Sequence, residues 1–230
     1  VYEPIFQALN AAGVRYVVIG GLATVLHGYA RLTADVDLAV DLASEEATKV
    51  IQTLTAAGFR PQVPVDPKTF ADRTTREQWM REKHRRAFSL IDPANPMRVV
   101  DLLLEYPVPF EELWAHSREV SIQATRIRIA SVDHLIALKR QAGRPQTLQI
   151  SNNWKSFVSG TKLISMSSET IDPPGQPSEA DWDAAQQDLL AATLAATPAQ
   201  RLAWLEEALR LAYASGALKP RQFIQDRDAE

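Results

Sequence analysis

Apolar residues along this chain recur with two periods that alternate over its first part. Ile5, Phe6 and Leu9 lie at helical spacing and predict a helix over 2–12, stopped at Gly13. Tyr16-Val17-Val18-Ile19 is a continuous apolar run and predicts a buried strand, with Gly20-Gly21 directly after it. A short helix is predicted from Leu22 to His27, ended by Gly28, and a polar turn over 31–34 leads to a second strand, Val36 to Val40. Ser44, with Glu45 and Glu46 in the first turn, opens a helix that runs to Ala57 and Gly58. The stretch 61–83 is polar, with a helix predicted from Thr74 to His84. Ala87 to Ile91 and Met97 to Leu104 flank a turn-rich Asp-Pro-Ala-Asn-Pro and read as a hairpin. A short helix over 110–116, strands over 119–122 and 126–129, and a helix from Ser131 to Ala142 complete this region.

This order predicts an α/β (α+β) fold, a mixed sheet flanked by helices, over residues 1–146. Residues 147–177 are rich in Ser, Thr, Asn, Gly and Pro, lack a sustained period, and read as an irregular linker. Residues 178–230 read as a helical hairpin running to Arg227. Trp182, Leu189, Leu190 and Leu194 share one face, and Leu202, Leu205, Leu209 and Leu211 continue it after Pro198. No chemistry is expected from this appendage.

Composition narrows the functional classes. The 230 residues carry a net charge of −3, which argues against binding driven by bulk positive charge to nucleic acid or an anionic membrane. Cysteine is absent, which removes disulfides, thiolate zinc sites and a cysteine nucleophile, and suits a reducing compartment. No apolar run approaches the roughly 18 residues of a membrane span. With no basic-then-apolar leader at Val1 and beyond, a cytoplasmic location is expected.

The candidate chemistry lies in three places. Gly20-Gly21 at a strand end lets backbone approach a phosphate, although a tight strand–helix turn also wants glycine. Asp35 and Asp37 are two residues apart in a strand and share one face, while Val36, Leu38 and Val40 point to the other. Like charges side by side repel, and a divalent cation such as Mg²⁺ resolves the repulsion; a solvated sheet edge is the other reading. Asp101 is the lone acid in Arg98-Val99-Val100-Asp101-Leu102-Leu103-Leu104. Set beside the Asp35–Asp37 strand, it completes a trio that can hold two Mg²⁺ ions for in-line phosphoryl transfer. A buried salt bridge to Arg98 or Arg126 is the alternative.

Ile19-Gly20-Gly21, Asp35-Val36-Asp37-Leu38 and a later strand aspartate resemble the nucleotidyltransferase (DNA polymerase β-like) superfamily. Gly20-Gly21-Leu22-Ala23, His27-Gly28 and Arg31-Leu32-Thr33-Ala34-Asp35-Val36-Asp37 look in particular like the small bacterial AbiEii-type enzymes, which include toxins of toxin–antitoxin systems. The resemblance implies NTP as substrate, Gly20 and Gly21 as nucleotide-binding, and Asp35, Asp37 and Asp101 as metal ligands, with Asp101 also helping to activate an acceptor hydroxyl. Lys139, in Lys-Arg-Gln-Ala-Gly-Arg-Pro, would contact the triphosphate; a cation near a helix C-terminus is favourable in any case. Arg31 and Thr33 are further nucleotide-contact candidates or simple turn residues. The acceptor would be RNA such as a tRNA end, a protein or a small molecule. A catalytically silent nucleotide- or partner-binding member is the alternative, and the tail could serve an antitoxin-like partner or a second copy of the chain.

Two further segments bear on this reading. Arg73, Arg76, Arg81, Lys83, His84, Arg85 and Arg86 form a locally basic stretch, read either as a guide for phosphates or as a solvated face paired with Glu77 and Glu82. His27 has no partner at metal spacing and reads as packing. After Pro145 the acidic helix usual in the resembling proteins is missing. A back-translation of residues 147–161 read one base earlier spells DIADIEQLEKFRQWD, an amphipathic acidic helix. A single-base frameshift near codon 147 would therefore have joined two reading frames, with Met166 an old start.

Overall fold

The computed structural model describes residues 2–29, 31–141, 188–189 and 191–224. Helix α1 (Glu3–Ala11) buries Ile5, Phe6 and Leu9, and the chain then enters the fully buried strand β1 (Tyr16–Val18). Helix α2 (Gly20–Leu26) starts at the first glycine, two residues earlier than the apolar pattern suggests, because the paired glycines themselves take up the turn. Strand β2 (Asp35–Val40), helix α3 (Ser44–Ala56), helix α4 (Arg73–Lys83) and strand β4 (Ala87–Asp92) lie close to their expected bounds. Between α3 and α4 stand a two-residue strand β3 (Arg60–Pro61) and a 3₁₀ turn (Pro67–Ala71), neither of which shows a period that the sequence could reveal. Strand β5 (Asn95–Leu103) begins inside the expected turn, since Asp92 pairs with Asn95 and closes the hairpin on Pro93-Ala94.

Helix α5 (Phe110–Ala115), strands β6 (Arg118–Ile122) and β7 (Thr125–Ile129) and helix α6 (Val132–Gln141) follow. The seven strands form one mixed sheet in the order β3-β4-β5-β2-β1-β7-β6. β2 runs parallel to β5 and β1 parallel to β7, and the remaining neighbours are antiparallel. The α/β architecture with a helix-flanked mixed sheet is thus the observed one.

The pleat sorts chemistry from core. Val36 and Leu38 on β2 pair with Val100 and Leu102 on β5, all four essentially inaccessible, and they turn to one face. Asp35, Asp37 and Asp101 take the opposite face. Phe88 on β4, paired with Leu102, extends this same core. It stacks on Trp79 at 5.2 Å between ring centroids and lies 5.4 Å from Phe70, which fixes α4 and the 3₁₀ turn over this half of the sheet.

The appendage lies against the first domain. Helix α7 (Pro198–Ala214) opens with a capping box, in which the Thr197 hydroxyl accepts from the Gln200 amide and the Gln200 side chain accepts from the Thr197 amide. It buries Leu202, Leu205 and Leu209 and packs on α2 and β6. Arg201 fastens it by donating to the carbonyls of Thr193 (2.6 Å), Leu26 (2.6 Å) and Leu194 (2.8 Å). The predicted helix to Arg227 is corrected: the helix ends at Ala214, Gly216 turns left-handed (φ +75°), and residues 217–224 are non-helical. Pro220 lacks the amide that a continued helix would need. Leu211 and Leu189 are exposed rather than on the buried face. The expected linker over 147–177 with its frameshift junction, Trp182 and Leu190 lie outside the described residues.

Truncating Phe88 to Ala should leave a cavity beneath Trp79 and Phe70 and cost about 3–5 kcal/mol. Urea unfolding followed by tryptophan fluorescence checks this; a loss well under that range would mean that the aromatic cluster does not anchor this side of the sheet.

Candidate active site

The parallel register of β2 and β5 sets Asp37 directly beside Asp101, and the antiparallel register of β4 and β5 sets Ser89 on the other side of Asp101. Adjacent strands lie about 4.8 Å apart, so these polar side chains form one row across the centre of the sheet. Asp35, two residues before Asp37, extends the row along β2 on the same face. The sequence-predicted carboxylates are therefore brought together. Arg98 pairs with Asp92 and Arg126 with Glu119, so neither is the partner of Asp101.

The paired glycines form the wall of this row. Gly20 has φ +63°, and a Cβ there would overlap the Asp37 carboxylate. Gly21 donates its backbone N–H to that carboxylate, and a Cβ on Gly21 would overlap the Thr33 hydroxyl. Glycine is needed at both positions by close approach, and at Gly20 also by the left-handed backbone. The Ile19 amide donates to the Asp37 carbonyl at 2.9 Å, which locks the turn onto β2. Thr33 thus sits at the glycine turn. Its carbonyl accepts from the Tyr2 hydroxyl at 3.1 Å, and the Ala34 carbonyl accepts from the same hydroxyl at 3.3 Å. The Tyr2 amide in turn donates to Glu206 of α7 at 3.1 Å, so one N-terminal residue ties the loop before β2 to the appendage.

A side chain that sequence reasoning missed reaches into the row. Arg221 donates through Nη2 to Asp35 Oδ2 (2.5 Å) and Asp101 Oδ2 (3.1 Å), and through Nη1 to Asp101 Oδ1 (3.2 Å) and Ser89 Oγ (3.3 Å). The expectation that the tail carries no chemistry is therefore corrected. Its sequence signal is slight: one basic residue after Pro220, beyond the end of the helical period. Ser89 was equally hidden, as an ordinary polar residue in an apolar strand.

Electrostatics follow from this crowding. Desolvation pushes the Asp37 carboxyl up to about 7, with the charges of Asp101 and Asp35 adding to it. Desolvation also raises Asp35, which Asp101 reinforces and Arg221 opposes. Burial opposes the guanidinium charge of Arg221, but Asp101 and Asp35 more than offset it, so its pKa lies above the usual arginine range.

The donor chemistry, carboxylate oxygens on neighbouring strands, fits a hard divalent cation. Yet among the described residues no group of three or more His, Cys, Asp or Glu side chains is arranged to hold a metal ion. Asp35 and Asp101 are bonded to a guanidinium instead.

Lys139 on α6 is the other notable cation. Its Nζ is shielded from solvent with no hydrogen-bond partner among the described residues. Burial lowers its pKa, and Arg31 nearby lowers it further. Arg31 itself is exposed. The basic stretch on α4 is largely structural: Arg76 is buried and donates to the carbonyls of Phe70 and Leu42, while Arg73 pairs with Glu77 and Arg81 with Glu82. His27 Nε2 lies 2.8 Å from the Ala130 carbonyl, a packing role.

No family model and no curated protein matches the chain. Solved structures do. It is similar to the crystal structure of a candidate nucleotidyltransferase from Thermotoga maritima, with 16% identity, a TM-score of 0.42, and coverage of 67% of this chain and 89% of that one. It is similar to the solution structure of the antibiotic-resistance factor ANT(2'')-Ia, with 15% identity, a TM-score of 0.37, and coverage of 93% and 91%. The crystal structure of ANT(2'')-Ia with adenylyl-2''-tobramycin is similar at 15% identity and a TM-score of 0.37, covering 91% and 94%. These likenesses concern the course of the chain, and the chemistry of the site rests on its own residues.

Two outcomes are expected. Gly20→Ala should cost more than Gly13→Ala, because both glycines have φ +63° but only Gly20 has a carboxylate where the methyl would go. Backbone strain alone accounts for about 1–2 kcal/mol at each, so equal losses in denaturant unfolding would show that Gly20 is not packed on Asp37. The second outcome concerns pH. The folded protein holds a proton on Asp37 up to about 7, whereas the unfolded chain releases it near about 4. Stability contributed by this group therefore falls as pH rises across that window and levels off above it. Asp37→Asn should remove that decline, so its stability relative to wild type should climb between those pH values; a constant difference would contradict the raised pKa.

Proposed function

We propose that this chain is a divalent-metal-dependent nucleotidyltransferase that moves a nucleotidyl group from an NTP to a hydroxyl of RNA, a protein or a small molecule. The observation that carries the reading is the in-register pairing of Asp37 with Asp101, flanked by Asp35 and walled by a Cβ-free glycine turn. Such a row is destabilising by itself, since its charges repel and are partly desolvated. A protein retains it where cations are to be gripped.

Asp35, Asp37 and Asp101 would hold Mg²⁺, with two ions in the full arrangement. Cations bound there neutralise charge developing on the transferred phosphoryl group and lower the pKa of an attacking hydroxyl. Asp101, buried at the middle of the row, would accept the proton of that hydroxyl. The acceptor oxygen bonds to the α-phosphorus as the bond to the departing pyrophosphate breaks. Gly20 and Gly21 pack main chain directly on Asp37 and Thr33, and a backbone without side chains there would let a bound phosphate approach the turn. Lys139, a desolvated ammonium with no partner among the described residues, suits a triphosphate, and Arg31 and Thr33 would be further nucleotide contacts.

The motif run from Gly20 to Asp37 supports an AbiEii-like enzyme within this class, with a toxin-like role and an antitoxin-like partner. The lack of cysteine supports a cytoplasmic setting, and no helix among the described residues is long and apolar enough to cross a membrane. A second reading, a catalytically silent nucleotide- or partner-binding member, is favoured by the guanidinium of Arg221 among the carboxylates.

Incubation of the full chain with α-labelled NTPs, Mg²⁺ and candidate acceptors tests the proposal. Label transfer is expected, and Asp35→Ala or Asp37→Ala should lower it by about 10²-fold or more if the carboxylates act in the transition state. Transfer that survives both substitutions would refute the assignment. NTP binding without transfer would select the silent reading.

A further inference from the structure

We propose that residues 217–224 form a built-in inhibitory strap, whose Arg221 guanidinium takes the place of the metal among Asp35 and Asp101 and must leave before a divalent cation can bind. The inference rests on the reading of the carboxylate row as a cation site, and goes beyond it by giving that site its own internal competitor.

The geometry is that of a cation surrogate. The planar fork of Arg221 spans both oxygens of Asp101 and reaches Asp35 with the same nitrogen that touches Asp101 Oδ2. The remaining reach of Nη1 goes to Ser89, at the far end of the row. Each carboxylate oxygen bonded to the guanidinium has one of its lone-pair sites taken, and a second cation between Asp35 and Asp101 would be repelled by the charge of Arg221 and crowded by its fork. Among the described residues no three acids stand in a metal-ready cluster, and two of the row, Asp35 and Asp101, are disposed about the guanidinium.

The strap is also built to be released. It leaves α7 through the left-handed turn at Gly216 and, among the described residues, is held by few bonds besides those of Arg221. The Leu218 amide donates to the Ala212 carbonyl at 3.0 Å, the Ile224 amide to the Gln62 carbonyl at 2.8 Å, and the Gln62 side chain to the Gln222 carbonyl at 3.1 Å. Leu218 rests on the core, but Phe223 is exposed. Arg221 keeps 35% of its side chain accessible, whereas Asp101 keeps 10%. Withdrawing the strap breaks no strand or helix of the domain beneath.

The test uses the full chain and Mn²⁺ as the probe, with wild type and Arg221→Gln titrated by calorimetry. Asp37→Asn in each background reports whether binding is at the row. A strap engaged about 90% of the time weakens the apparent affinity about tenfold, so Arg221→Gln should bind Mn²⁺ about tenfold more tightly or better. Asp37→Asn should abolish that gain. Hydrogen exchange supplies a readout independent of activity: saturating Mn²⁺ should lower protection of the Ile224 amide in wild type, and Arg221→Gln should lower it without metal. Arg221→Lys, which keeps the charge but loses the fork, should fall between the two and serves if the glutamine variant folds poorly. Equal Asp37-dependent affinities in wild type and variant, or Mn²⁺ binding with unchanged Ile224 protection, would overturn the strap and leave the cation site standing. Mn²⁺ binding that is absent or indifferent to Asp37 in both backgrounds would overturn the cation site, and the strap with it.

Discussion

Three carboxylates set side by side at the middle of a sheet need positive charge. The pairing of β2 with β5 aligns Asp37 and Asp101 backbone to backbone, and the pleat adds Asp35 on the same face. The apolar partners of these residues, Val36, Leu38, Val100 and Leu102, are locked into the core on the reverse side. A slip by one residue would bury the acids and expose the valines and leucines, so the register that stabilises the core is also the one that concentrates the negative charge. Every other feature of the site is an accommodation to this constraint, from the side-chain-free turn at Gly20-Gly21 to the arginine supplied by the far end of the chain.

The supports of the row come from distant parts of the sequence. Tyr2 holds the carbonyls of Thr33 and Ala34 with its hydroxyl and Glu206 with its amide, so α1, the loop before β2 and α7 share one anchor. Arg201 joins α7 to the end of α2 through the Leu26 carbonyl. These bonds to buried or half-buried carbonyls are costly to leave unmade, and they give the appendage a defined seat beside the acidic face.

Much of the first domain was legible in the sequence because its signals are periodic and local. The run Tyr16 to Ile19, the alternation through Asp35, Val36, Asp37 and Leu38, and the acidic first turn of α3 each announce their structure within a few residues, although Ser44 is the first helical residue rather than a side-chain cap. The carboxylate cluster was legible for the same reason: an acid in an apolar strand stands out. What stayed hidden is non-periodic or long-range. Two-residue β3 and the 3₁₀ turn at Pro67 are too short to show a period. The helix at the C-terminal end was read too far because its last turns remain rich in leucine and alanine, while its stop depends on Gly216 and Pro220. Arg221 reaches Asp35 across 186 positions, and nothing local in Lys-Pro-Arg-Gln-Phe distinguishes it from a surface residue.

The chain separation between the acids and their arginine also bears on biosynthesis. A ribosome releases Asp35, Asp37 and Asp101, with the β-strands that align them, well before it adds residue 221. For that interval the arginine that bonds Asp35 and Asp101 does not yet exist, so a strand pairing that forms on the growing polypeptide would form without it.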